Sequence, residues 1–368
     1  VHVITAPIYY VAADSGNPVP PYSSWNTAAT NIQSAVDIAV PGSLILVSNG
    51  FYATGGQAVY GVATNRVSVT KAVTVQSVNG PGTTFICGYQ VPGTTNGPGA
   101  IRCVYLTNGA FLSGFTLTNG AADSGGGLWC ESTNAAASNC VMIANAAADL
   151  GGGAYRATLN NCTLVNNSAP YGAGSADGNL TGCTLVGNTG GGGARGGTLE
   201  SCTLTANTGV SGGGASLAIL SRCTLSSNSV SYFGGGAYSC TLYDCLVTGN
   251  SSPAQSGGGI DSCTASNCTL TGNSAYYNGG GSFRSTLLRC TLAYNLASTG
   301  GGDSGGTLND CLVVSNSAAQ GGGTIGGVLV NCTLTGKTAR YAGGGVNGGK
   351  LNTGMGYFKT GSNLTKST

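Results

Sequence analysis

From Cys140 to Cys332 the chain repeats itself. Cys140, Cys162, Cys183, Cys202, Cys223, Cys245, Cys268, Cys290, Cys311 and Cys332 follow one another at steps of 19 to 23 residues. Two positions after each stands an apolar residue, from Met142 through Leu164, Leu185 and Leu204 to Leu334. Five positions after comes a column of asparagines: Asn145, Asn167, Asn188, Asn207, Asn228, Asn250, Asn273, Asn295 and Asn316, broken at Lys337. Glycine triplets beginning at Gly125, Gly151, Gly191, Gly212, Gly234, Gly257, Gly279, Gly300, Gly321 and Gly343 punctuate the same period. A fixed period of this size is the mark of a solenoid.

Within each repeat, Cys-Thr-Leu alternates with period two, which places Cys and Leu in a core and Thr on the surface of a short strand. No helical stripe fits between a glycine triplet and the next cysteine. Each repeat therefore reads as a coil of short strands joined by tight turns, with glycine supplying positive φ or close backbone approach. Stacked coils place equivalent residues about 4.8 Å apart. At a turn, an asparagine column tolerates left-handed backbone and can hydrogen-bond to its neighbours above and below. The expected fold is all-β: a right-handed parallel β-helix with coils of about 21–22 residues.

Composition agrees with a packed core. Sixty-six of 368 residues are glycine and only 7% are charged, yet 41% are hydrophobic. A net charge of +2 without a basic cluster gives no reason to expect nucleic acid as partner. The longest aliphatic run, Leu44 to Val47, spans no bilayer. No signal peptide is visible at Val1, which reads as a mature or trimmed chain. Fifteen cysteines with so little charge point to an oxidising, extracellular setting, although the odd count leaves one thiol over.

The combination Leu-x-x-Asn and Gly-Gly-Gly-Ala (Leu164 to Asn167, Gly151 to Ala154, Gly212 to Ala215, Gly234 to Ala237) resembles the repeat of polymorphic outer-membrane proteins and related bacterial surface proteins. The likeness covers Gly125 to Gly345. It implies a right-handed parallel β-helix and the role of a secreted adhesin or autotransporter passenger. Fold alone does not fix function.

Outside the regular repeat, "WNTAATNIQSAVDIAV" (Trp25 to Val40) carries a helical stripe of Trp25, Ala28, Ala29, Ile32, Ala35, Val36 and Ala39, with Ser24 as N-cap and Pro41-Gly42 as stop. It is expected to cap the first coil, as in secreted β-helix proteins, whose opening it resembles. The expected organisation is an arm, capping helix and first strand over 1–60, irregular early coils over 61–124, regular coils over 125–345, and a C-terminal coil and tail over 346–368. The ending "VNGGKLNTGMGYFKTGSNLTKST" shows no closing helix, so the last coil is expected to stack on a continuation or on another copy, and the arm "VHVITAPIYYV" to add a strand to a neighbour.

Sites are sparse. The cysteines form a core ladder, with inter-coil disulfides and metal binding as alternatives; Cys240 and Cys263, in matching places of consecutive coils, are the preferred bridge. No Cys/His spacing suits zinc, and no cofactor is expected. Eleven scattered carboxylates include one repeat-aligned pair, Asp123 and Asp149, while Asp303 and Asp310 share a coil on different sides; His2 is the lone histidine. No base–nucleophile constellation follows, so the chain is expected not to be an enzyme. Tyr171, Tyr232, Tyr276, Tyr277 and Tyr341 precede glycine runs, and Tyr155, Tyr238 and Phe283 follow them; such an aromatic surface either stacks on sugars or neighbouring rods, or covers its own turns. Among the Asn-x-Ser/Thr sites, Asn166, Asn179, Asn250 and Asn363 are candidates for glycosylation.

The expected function is an extracellular scaffold, a rigid rod serving as an adhesive surface module or as the subunit of an end-to-end filament. Its partners would be itself, head to tail or laterally, or a cell-surface glycan. The alternative is a secreted carbohydrate-active β-helix enzyme, a polysaccharide lyase or hydrolase.

Overall fold

The computed structural model describes residues 6–59 and 63–352. It divides into two compact units, residues 1–188 and 189–368. Each is a right-handed parallel β-helix whose coils contribute one strand to each of several sheets. In the second unit a representative coil runs Ala215–Ser216, Ile219–Ser221, Thr224–Ser226 and Ser229–Phe233. We call the sheets built from these four positions I, II, III and IV. In sheets II and III register is strict: Leu220 stands beside Leu242 in sheet II, and Leu225 beside Val247 in sheet III.

The corners explain the rest of the repeat. Leu217, Arg222, Ser227 and Gly234, one at each corner of this coil, take φ of 54°, 53°, 56° and 68°. For a non-glycine residue that conformation costs about 1–2 kcal/mol, which the stacked sheets on either side offset. The asparagine column does not occupy these left-handed positions. Ser227 does, and it turns the following Asn228 inward. The glycine triplet combines two constraints. Gly234 needs the positive φ; a Cβ on Gly235 or Gly236 would lie 2.3 Å or 2.7 Å from a carbonyl oxygen of the next coil.

The first unit opens with more elaborate structure. The arm strand Ile8–Val11 pairs in parallel with Leu44–Val47 of its own chain and forms the start of sheet II. Residues 1–5 of the expected arm lie outside the described residues, and Ile8–Val11 is paired within its own chain. The long helix is shorter than its stripe: a 3-10 turn at Trp25–Thr27 and an α-helix only over Ile32–Ile38, capped by Asn31, whose Oδ1 accepts from Ser34 N–H at 2.8 Å. Backbone hydrogen bonds from Ala29 N–H to Tyr10 O and from Ala12 N–H to Ala29 O hold Ala28 and Ala29 extended against the arm. The stripe is still buried from Ala28 to Ala39, while Trp25 is exposed.

The cap protects an edge. Gln33 of the helix accepts from Ser68 N–H at 2.8 Å and donates to Ser68 O at 3.2 Å, satisfying both backbone groups of a strand in sheet I. Lys71 Nζ donates to Asp37 O and Ala39 O at 2.7 and 2.8 Å, a cation at the helix C-terminus where the dipole favours it.

Candidate functional site

Inside the coils, polar groups serve the fold. Asn145 N–H and Nδ2 both donate to Asn167 Oδ1 at 3.0 and 3.1 Å, and Nδ2 also donates to Leu117 O. Asn167 repeats this with Asn188. In the second unit the chain runs from Asn207 through Asn228, Asn250, Asn273 and Asn295 to Asn316. All nine carboxamides are buried. Asn250 is thus unavailable to a glycan, which corrects its candidacy; Asn166 is exposed, Asn179 half-buried, and Asn363 lies outside the described residues.

All fifteen cysteines are thiols. The ladder stacks: Cys162 N–H donates to Cys183 Sγ at 3.5 Å, and Cys183 Sγ to Leu159 O at 3.4 Å. Cys240 N–H likewise meets Cys263 Sγ at 3.3 Å, without the bridge expected there. In-register parallel strands aim both side chains the same way, and each sulfur finds backbone partners instead. Among the described residues no group of three or more His, Cys, Asp or Glu could hold a metal.

The carboxylates separate. Asp123 and Asp149 lie on sheet IV of the first unit, both exposed, in adjacent strands whose register shifts between Ala122 and Ser124. Asp310 is an exposed corner residue that accepts from Asn331 Nδ2 at 2.5 Å. Asp303 points into the core of sheet I. Its oxygens accept from Ser282 Oγ at 2.6 Å and Gly306 N–H at 3.0 Å, and burial pushes its carboxyl up to about 7.

Asp261 is the carboxylate that meets other chemistry. It sits on the outward side of sheet I, directly beside Tyr238 on one strand and Phe283 on the next. Its side chain is nonetheless fully buried. Arg284, a half-exposed corner residue, reaches it at 3.2 and 3.3 Å, and Ser262 Oγ donates to Oδ1 at 2.7 Å. The Arg284 guanidinium lies 4.3 Å from the Phe283 ring centre and 5.5 Å from that of Phe233. Phe233 in turn stacks on Tyr238 at 6.4 Å and neighbours the exposed Tyr232 at 6.2 Å. Burial raises the Asp261 carboxyl above its usual range; Ser262 and Arg284 pull the other way. The result is a cation with one open side, fixed by a shielded carboxylate and framed by two rings.

Sequence reasoning singled out Tyr232, Tyr238 and Phe283 and missed Asp261, Arg284 and Phe233. The signal was present. Asp261 and Phe283 both stand four residues after the first glycine of a triplet, a position occupied by Tyr238 and Ser216 in earlier coils. Of the other tyrosines, Tyr276 and Tyr277 touch edge to face at 4.7 Å, Tyr341 lies beneath the Arg340 guanidinium at 5.3 Å, and Tyr171 belongs to the first unit; all four are exposed.

Comparison with known proteins adds the fold. No family model matches the chain, and no curated protein matches its sequence. Solved structures do. A mannuronan C-5 epimerase A-module of Azotobacter vinelandii (AlgE6) aligns over 89% of this chain and 95% of its own, at 14% identity and a TM-score of 0.44. The pectate lyase Pel9A aligns over 93% and 79%, at 12% identity and 0.40. The PL6-family alginate lyase AlyGC aligns over 82% of this chain but 49% of its own, at 12% and 0.45. This chain is a parallel β-helix solenoid. The likeness to polymorphic outer-membrane proteins extends to the repeat and no further. The expectation that the chain is not an enzyme is corrected by the same comparison: these structures are named as lyases and an epimerase. At these identities the likeness is one of fold alone. Among the described residues no helix is long and apolar enough to cross a membrane.

Proposed function

We propose that this chain is an extracellular carbohydrate-active β-helix protein that takes an acidic polysaccharide across the outward face of sheet I in its second unit. The observation that carries this reading is Arg284, held by buried Asp261 between the rings of Phe283 and Phe233 with its other side open to solvent. Aromatic faces stack on the apolar faces of sugar rings. A guanidinium with free donors recognises a carboxylate in the plane of its fork.

The residues favour recognition of a uronate over hydrolysis. Glycoside hydrolysis uses two carboxyl groups about 5–10 Å apart, flanking the scissile bond. Asp261 is sealed beneath Arg284 and Asp303 faces the core, so neither flanks a bond on this surface. Eliminating or epimerising a uronate needs its carboxylate charge neutralised and also a base to take the adjacent C–H proton, and the contacts around Arg284 supply the first and not the second. Arg284 is placed to neutralise that charge, and Asp261 acts by positioning Arg284.

The test is to incubate the protein with polygalacturonate and alginate, polymers chosen with the pectate and alginate lyases in mind, together with neutral glucans. Unsaturated uronate ends, C-5 epimer content and affinity are then measured. Action on, or binding to, an acidic polymer is expected, and Arg284→Lys should weaken it at least tenfold, because an ammonium facing Asp261 keeps the charge but loses the planar fork. If that variant, with unchanged circular dichroism, binds and acts as the wild type does, this site is wrong. If neither acidic nor neutral polymers are bound or altered, the carbohydrate reading is wrong.

A further inference from the structure

The second unit has another face that the sheet I site does not use. The strands of sheet III, from Thr203–Thr205 to Thr333–Thr335, point their middle residue inward and their first and third residues outward. Register aligns those outward residues in two files: Thr203 with Thr224, Thr269 with Thr291, and Thr205 with Ser226. Threonine or serine recurs in most coils, and the interruptions, Leu246, Ala293, Leu312 and Val314, are all uncharged. Neighbouring coils are about 4.8 Å apart, and outward residues on one strand about 6.7 Å apart. Sheet III thus offers a two-dimensional grid of hydroxyls and methyls.

We propose that this face binds ice. A partner that matches a grid in both directions must itself be periodic in both directions, which favours a crystal surface over a single chain molecule. Charge decides among crystals. No outward residue of these strands carries a charge, whereas the corner leading into the sheet holds Arg222, Asp244, Arg289 and Asp310. An ionic mineral has nothing to pair with on this face. Nor do the outward positions carry an aromatic ring on which a crystalline glycan would stack; Tyr294 stands at the exit corner. Ice is a neutral lattice of donors and acceptors. Each threonine hydroxyl both donates and accepts, and its methyl sits beside it. Two of the hydroxyls are already joined along the file: Ser226 Oγ donates to Thr205 Oγ1 at 2.9 Å. Ordered water on such a grid is held at little entropic cost.

The test is the growth of a single ice crystal in the presence of the full chain, read as the gap between melting and freezing points and as crystal habit. The wild type should open a gap and facet the crystal. Thr248→Lys with Thr271→Lys, two charges in the middle of the second file, should abolish both effects. Thr241→Lys with Thr264→Lys, on the outward side of sheet II, should leave them intact, with circular dichroism reporting the fold of each variant. Two results would overturn the proposal: equal loss in both double variants, or no effect of the wild type on ice, whether or not it instead sediments with powdered cellulose or self-associates through sheet III.

Discussion

Arg102 in the first unit and Arg284 in the second both belong to the region of sheet I, and both lie beside aromatic rings. Their surroundings differ. Arg102 is buried and donates to Asn65 Oδ1, Ser124 O and Gly125 O at 2.5–2.9 Å, with its guanidinium 5.8 Å from the Trp129 ring centre. Burial lowers its pKa to about 10. Trp129 continues a column from Tyr105, 5.2 Å away, to Tyr155, 6.4 Å away, and Tyr105 OH donates to Glu131. Arg284 has a carboxylate and two rings but keeps half its surface in water. The same residue types brace one unit and leave the other open to a ligand. A buried arginine whose three nitrogens all donate to protein acceptors is structure; one with a free side can recognise something.

The largest effect should come from breaking the brace. Arg102→Met leaves three acceptors unpaired in a closed site, at about 1–3 kcal/mol each, so a loss of roughly 5 kcal/mol in urea unfolding is expected. Arg284→Lys should cost no more than about 1 kcal/mol, as a surface ion pair does. Equal losses would erase the distinction between the two arginines.

A second contrast lies within the second unit, between outward Asp261 and inward Asp303. Asp303 has a folded pKa raised from 3.8 to about 7, so the folded chain holds a proton that the unfolded chain has already released. Its contribution to stability is complete below about pH 4 and is lost as pH rises through about 7. Three units correspond to about 4 kcal/mol at most. Asp303→Asn keeps both hydrogen bonds, its Oδ1 accepting from Gly306 N–H and its Nδ2 donating to Ser282 Oγ. The variant should therefore lose this part of the pH dependence in denaturant midpoints between about pH 4 and 8. A wild-type slope that persists in the variant would assign the titration elsewhere.

How much of this was legible in the sequence depends on which side of the strand a residue faces. Inward positions repeat because every coil meets the same neighbours: Cys162 stacks on Cys183, and Asn167 bonds to Asn188, so the columns state the fold. Even there the corners misled, since Ser227 and not Asn228 takes the left-handed turn. Outward positions meet different neighbours in each coil. Asp261 faces Tyr238 and Phe283 because all three stand four residues after the first glycine of a triplet, but Arg284 reaches it from the corner of the following coil, so the ion pair shows only once the coils are stacked. The capping helix failed for another reason. Its apolar stripe was real, but Ala28 and Ala29 bury equally well in an extended segment, and the hydrogen bonds to Tyr10 and Ala12 decided the conformation.

The smallest expected effect tests where an inward column ends. In the second unit the ladder asparagines from Asn228 to Asn295 accept at Oδ1 from the coil before and donate Nδ2 to Oδ1 of the coil after, so every link needs an acceptor at the next position. At 337 that position is lysine, buried, with its pKa lowered to about 8 by desolvation and no acceptor to offer. The carboxamide chain therefore stops at Asn316, whose Nδ2 still donates to Leu292 O at 2.8 Å. Lys337→Asn supplies the missing acceptor and removes a buried cation, and should stabilise the second unit by about 1 kcal/mol at neutral pH. The wild type should also gain stability as pH rises from about 8 to 10.5, because there the unfolded chain binds the lysine proton and the folded chain does not. The variant should show no such gain from this position. A destabilised Lys337→Asn would mean that the lysine is a stop required by the following coil, and that the ladder is bounded by design of its neighbours and not by the loss of an acceptor.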